Sequence, residues 1–115
     1  MKYFIDEIER KASHSTCYHE FFIGKWDENT NAHWNQDSMN IDDDLLNSIG
    51  LGSLIASVIK DYAPFGITEI HKGQWEQIYT QAEKIGGELF RAVQEIAPWV
   101  EDAFKQHETF TILGI

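Results

Sequence analysis

The sequence holds a single cysteine, Cys17, so no disulfide can form within the chain, a scarcity that suits a reducing cytoplasm. It also lacks any apolar run approaching the roughly 18 residues that a membrane span needs, so neither a membrane helix nor a membrane partner is expected. The opening residues, Met1-Lys2-Tyr3-Phe4-Ile5-Asp6-Glu7, put acids where an export signal needs its apolar region. No such signal is expected. Positive charge is scarce as well, with 9 Lys and Arg against 19 Asp and Glu, a net charge of -10. Binding phosphates needs clustered bases, which argues against nucleic acid as a direct ligand.

Chemical signatures are equally thin. There is no His-Glu-x-x-His, no paired Cys-x-x-Cys, no calcium-loop order of acids and glycine, no Gly-x-Ser-x-Gly elbow and no phosphate-cradling glycine loop. Gly50-Leu51-Gly52 lacks the third glycine of a dinucleotide fingerprint. His14, Cys17 and His19 lie within six residues and carry N, S and N donors, but their spacing matches no common zinc signature. Asp42, Asp43 and Asp44 are consecutive, so on a helix they splay by about 100° each and cannot converge on one ion. The expectation is a protein without catalytic residues, metal or cofactor. The competing enzyme reading rests on those two histidines and Cys17.

What the chain does have is apolar material and pattern. At 115 residues, with 43% hydrophobic and 13% aromatic residues, residues 1–115 suit one folded domain able to bury a sizeable core. The stretch from Trp75 to Phe104 organises it. On one helical wheel Trp75, Ile78, Ala82, Ile85, Leu89, Val93, Ile96, Val100 and Phe104 fall within roughly 100° of arc, while Glu76, Glu83, Glu88, Glu95 and Glu101 fall elsewhere. Gly86-Gly87 and Pro98 interrupt the helix without disturbing this phase, so a kinked or abutting pair of helices is expected.

Elsewhere the signals are shorter. Phe4, Ile5 and Ile8 at helical spacing predict a helix from about Lys2 to Ala12, and the aromatic alternation from Cys17 to Ile23, closed by Gly24, predicts a strand. Gly24 to Asn40 is polar and aperiodic, which predicts a long irregular segment with Trp26 and Trp34 either capping the core or anchoring an interface. Asn40 or Asp42 can cap a following helix, with Asp43 and Asp44 in its first turn. Ser53 can cap another that runs to Pro64. Gly66 to Ile70 and Thr109 to Leu113 read as further strands, and His71 or Lys72 as the start of the long helical stretch. Together they predict an α+β domain, mostly helical, with a small sheet covered by the amphipathic C-terminal helix. The alternative is an all-α bundle.

The negative charge is local. From Ala12 to Ile59 there are Glu20, Asp27, Glu28, Asp37, Asp42, Asp43 and Asp44 against Lys25 alone, which gives -6 of the net -10. A one-signed segment can steer a cationic partner. The candidate contact set is therefore Trp26, Asp27, Glu28, Trp34, Asp37, Asp42, Asp43 and Asp44.

Several stretches together resemble the small acidic immunity proteins that bacteria make beside polymorphic toxins, including those of contact-dependent growth inhibition. They are Gly24-Lys25-Trp26, Val58-Ile59-Lys60-Asp61-Tyr62-Ala63-Pro64-Phe65-Gly66, Pro98-Trp99-Val100 and Phe110-Thr111-Ile112-Leu113-Gly114-Ile115. The resemblance implies a cytoplasmic protein that binds and neutralises a cognate toxin domain, often a nuclease, and carries over no contact residue. A basic toxin is the partner it implies. A non-catalytic regulatory or scaffold subunit of another assembly is the alternative.

Overall fold

A computed structural model describes residues 1–115. The elements run β1 (Phe4–Ile5), α1 (Glu7–Ala12), β2 (Tyr18–Ile23), β3 (Met39–Asp42), α2 (Asp43–Ser48), α3 (Leu51–Val58), β4 (Ile67–His71), α4 (Lys72–Ile85), α5 (Gly87–Gln106) and β5 (Thr109–Leu113). This is the α+β class with helix in the majority. The five strands form one antiparallel sheet in the order β1-β3-β2-β5-β4. No helix is long and apolar enough to cross a membrane.

The C-terminal strand lies inside the sheet, and all five of its residues are buried. Pairing of Phe21 with Ile112, and of Ile23 with Phe110 and Phe110 with Ile70, turns these side chains to one face. That face carries the main core. Phe110 is its hub, with ring centroids 5.7 Å from Phe21, 6.0 Å from Trp75, 5.7 Å from Trp99 and 5.7 Å from Phe104. Helices α4 and α5 supply Trp75, Ile78, Leu89, Val93, Ile96 and Val100 to the same cluster.

Gly86 sets how the two helices meet. Its φ of 72° and ψ of -157° lie in a region open essentially to glycine alone, and the chain folds back there instead of continuing. Tyr79 then stands 5.6 Å from Phe90, and Trp75 shares a groove with Phe104. The pair is therefore an antiparallel hairpin. Ile85, expected on the core stripe, is 63% exposed because it precedes this turn. Pro98 lies inside α5 without ending it, on the helix's exposed side.

Several boundaries differ from the pattern-based expectation. Asp6 accepts a hydrogen bond from Glu9 N at 2.9 Å, so α1 starts at Glu7. Phe4 and Ile5 form a strand against Ile41 and Asn40, and Ile8 is 81% exposed. Asn40 belongs to β3; Asp42 is the cap, accepting from Leu45 N at 3.1 Å. Gly50, at φ 86°, precedes α3 in place of Ser53, and α3 ends at Val58, before Ile59 and Tyr62.

Glu95 takes a structural part that its place on the polar side of the wheel did not suggest. Its carboxylate accepts from the backbone N–H groups of Lys2, Tyr3 and Phe4 at 2.7, 2.8 and 2.8 Å. These bonds fasten the N-terminal strand to α5.

Candidate functional site

The second face of the sheet is covered by the segment that joins β2 to β3, residues 24–38. Its residues are polar and cannot form a core of their own, so they hold their shape by docking on the sheet. Trp26 packs against Phe22 and Leu113 in a small separate cluster. Thr111 Oγ1 donates to Gly24 O at 2.7 Å. Gly24 itself sits at φ 84°, with the His107 ring 3.0 Å from where a Cβ would lie, so both the backbone and the neighbour call for glycine.

Glu20 is the central anchor. It points to this face from β2, is 1% exposed, and accepts from Trp34 N at 2.7 Å, Asn35 N at 2.9 Å and Ser38 Oγ at 2.6 Å. Charge-assisted bonds of this kind are roughly twice as strong as neutral ones. They stabilise Trp34 in a left-handed conformation, φ 66°, that a bulky residue rarely adopts. The Trp34 ring in turn lies 4.0 Å from the Arg10 guanidinium. Arg10 is fixed by its hydrogen bonds to Glu7 and by donation to Ser15 O at 2.8 Å. The Glu7 hydrogen bond also raises the Arg10 pKa further, against the opposing effect of burial.

The far end of the segment is held from the other side of the molecule. Trp99 Nε1 donates to Asp37 O at 3.0 Å. Asp27 closes a tight turn, accepting from Asn29 N through its side chain at 2.9 Å and from Asn31 N through its carbonyl at 2.7 Å. Asn31 Oδ1 accepts from Asp27 N at 2.8 Å.

The eight sequence-derived contact residues therefore occupy different settings. Asp27, Glu28 and Asp37 are exposed on the docked segment. Trp26 is only 9% exposed and serves as an anchor of the segment, with little surface left for a partner. Trp34 is half-buried on Arg10. Asp42, Asp43 and Asp44 lie at the other end of the β2–β3 ladder, whose register runs from Phe21 opposite Met39 to Tyr18 opposite Asp42. At about 3.3 Å per residue that ladder sets them roughly 10 Å or more from the segment's exit. Of the three, Asp44 is exposed and Asp42 serves as a cap. Asp43 accepts from His19 Nε2 at 2.7 Å.

Glu20 leaves the exposed acidic set altogether, because it is buried and internally satisfied. The others keep their charge free of the chain's lysines and arginines, although Asp43 is bonded to His19. No Lys or Arg lies in an ion pair with Asp27, Glu28, Asp37, Asp42, Asp43 or Asp44, and Lys25 approaches Glu69 instead, at 4.0 Å.

The histidine and cysteine group does not assemble as a ligand set: Cys17 is exposed, while His19 is buried and turned to Asp43. No group of three or more His, Cys, Asp or Glu side chains converges in a metal-holding arrangement. Sequence reasoning missed a cleft that His19 and Asp43 share with Tyr62 and Phe65. These residues come from three separate stretches of chain, and no local spacing links them.

No family model matches this chain, and neither a curated protein nor a solved structure matches it significantly.

Proposed function

We propose that this protein is a non-catalytic, cytoplasmic inhibitor that binds a basic protein toxin, in the manner of the immunity proteins its sequence resembles. The observation that carries this reading is the set of exposed acids, Asp27, Glu28, Asp37 and Asp44, none of which is neutralised by the chain's own bases. Unpaired surface carboxylates exert their field on solvent and on an approaching partner. Three of them ride on a segment pinned by Glu20, Trp26 and Trp99, so little conformational freedom remains to be lost on docking. A nuclease toxin would offer the matching surface, since its own substrate is polyanionic.

The test is growth rescue. Cells expressing the protein encoded immediately upstream should stop growing, and co-expression of this chain should restore growth and allow the two proteins to be co-purified. If that neighbour is harmless, or remains toxic with this chain present at equal level, the inhibitor reading fails.

A further inference from the structure

A cleft of about 390 Å³ lies between the start of β2, helices α2 and α3, and the segment that leads into β4. Its polar lining comes from His19, Asp43, Asn47, Ser53 and Tyr62, and its apolar lining from Leu46, Ala56, Pro64 and Phe65, with no lysine or arginine among them. Asp43 Oδ1 receives both the His19 bond, at 2.7 Å, and a long contact from Asn47 Nδ2, at 3.4 Å. Oδ2 is left without a protein donor. The bond to Asp43 occupies Nε2 of His19 and leaves the other ring nitrogen, Nδ1, outside it. That Nδ1 has no partner although His19 is 1% exposed, and the buried Tyr62 hydroxyl has none either.

Both of these atoms are closed off from solvent, so what the cleft presents is Asp43 Oδ2 together with the Asn47 and Ser53 side-chain oxygens, with no base among them. A donor-only cation fits it.

The rim narrows the choice. Phe65, which lines the mouth, is 81% exposed. The wall is tied down by Gly114 N donating to Gly66 O at 2.7 Å, Ile115 N to Pro64 O and Ala63 N to Thr68 Oγ1 at 2.9 Å. A firmly held, exposed aromatic beside a carboxylate is a setting for a macromolecular contact, where an aromatic anchor packs next to a charge. Arginine suits it better than lysine: its planar head stacks on an aromatic face, is more weakly hydrated, and spreads five donors over several acceptors.

We infer that this cleft receives an arginine side chain of a protein partner, with Asp43 facing the guanidinium and Phe65 stacking on it. The inference rests on the proposed basic partner only for the owner of that arginine.

The experiment titrates the full chain with the blocked peptide acetyl-Ala-Arg-Ala-amide and follows the Asn47 and Gly66 amides and the Tyr62 ring by NMR. Saturable shifts are expected with the peptide, with binding at least about tenfold weaker when citrulline replaces arginine, since citrulline keeps the shape and loses the charge. Asp43→Asn should weaken binding by about tenfold or more. Because that change also disturbs His19, Phe65→Ala at an exposed position supplies a second variant, expected to weaken binding about threefold while leaving the fold intact. The inference is overturned by absent saturation, by equal binding of the citrulline peptide, by Phe65→Ala binding as the parent does, or by free L-arginine binding more tightly than the peptide. Failure here leaves the acidic segment untouched, because that reading is tested separately through Asp27, Glu28 and Asp37.

Discussion

Glu20 and Glu95 solve the same problem at two places: each gathers three donors from irregular or terminal chain that has no partner of its own. Glu95 is partly exposed, whereas Glu20 is buried, and a buried carboxylate is costly unless its oxygens are used, as both of Glu20's are. Glu20→Ala is expected to lower unfolding free energy by about 3 kcal/mol, because the freed N–H and hydroxyl groups cannot all reach water. Urea unfolding checks this, and a loss below about 1 kcal/mol would place the segment's hold elsewhere. Asp27→Asn, at an exposed position, should change stability by no more than about 0.5 kcal/mol in the same assay. Tyr62 carries a different kind of strain. Burial first, and the nearby Asp43 charge second, push its phenol above the usual value. Since the unfolded chain loses that proton at about pH 10 while the native chain holds it, the contribution is fully present below that pH and is lost as pH rises toward the folded value. Stability should therefore fall on going above pH 10, and less steeply in Tyr62→Phe, as measured by denaturant midpoints across alkaline pH.

At the scale of elements, the glycines decide connections that apolar pattern leaves open. Gly114 is closed in so tightly that a Cβ there would sit 2.1 Å from Pro64 O. Gly114→Ala should shift the wall around Pro64 and Phe65 and cost about 1–3 kcal/mol, visible as a lower unfolding midpoint. Gly86→Ala should cost a similar amount through its backbone region alone, since open space surrounds that position. The same elements show what the sequence made legible. Alternation and β-branching located β2, β4 and β5, and the apolar stripe located α4 and α5, because burial of one face imposes a period on the residues. The wheel did not distinguish a continuous kinked helix from a hairpin, because the stripe stays in phase through Gly86. β3 is hidden because Met39 to Asp42 is only four residues long and reads as a helix start, and Phe4 shares the helical spacing of Ile8 although the helix begins only after the Asp6 cap. Pairing partners are set by tertiary contacts across long sequence separations, which local periodicity does not encode. The exposed acids of the candidate surface were legible as charge. The division between the docked segment and the start of α2 was not, nor was the internal use of Glu20.

For the whole molecule, the net charge of -10 has a physical consequence independent of any one contact. It should speed the approach of a basic protein and slow that of an acidic one, with the effect fading as salt shortens the Debye length to about 8 Å at physiological ionic strength. The acids that remain free and project from a pinned surface contribute a directed part of this field, whereas Glu20, Asp42 and Glu95 are occupied with the fold. Association kinetics separate these contributions from short-range contacts, because steering acts on the rate of encounter and desolvated anchors act chiefly on the rate of escape. The most direct measurement is stopped-flow association of this chain with the upstream-encoded protein, over a range of salt concentrations, for the parent and for the triple variant D27K, E28K and D37K. The account predicts an on-rate at least about tenfold lower for the variant at low salt, converging with the parent as salt rises. An on-rate equal to the parent's at every salt concentration would contradict it.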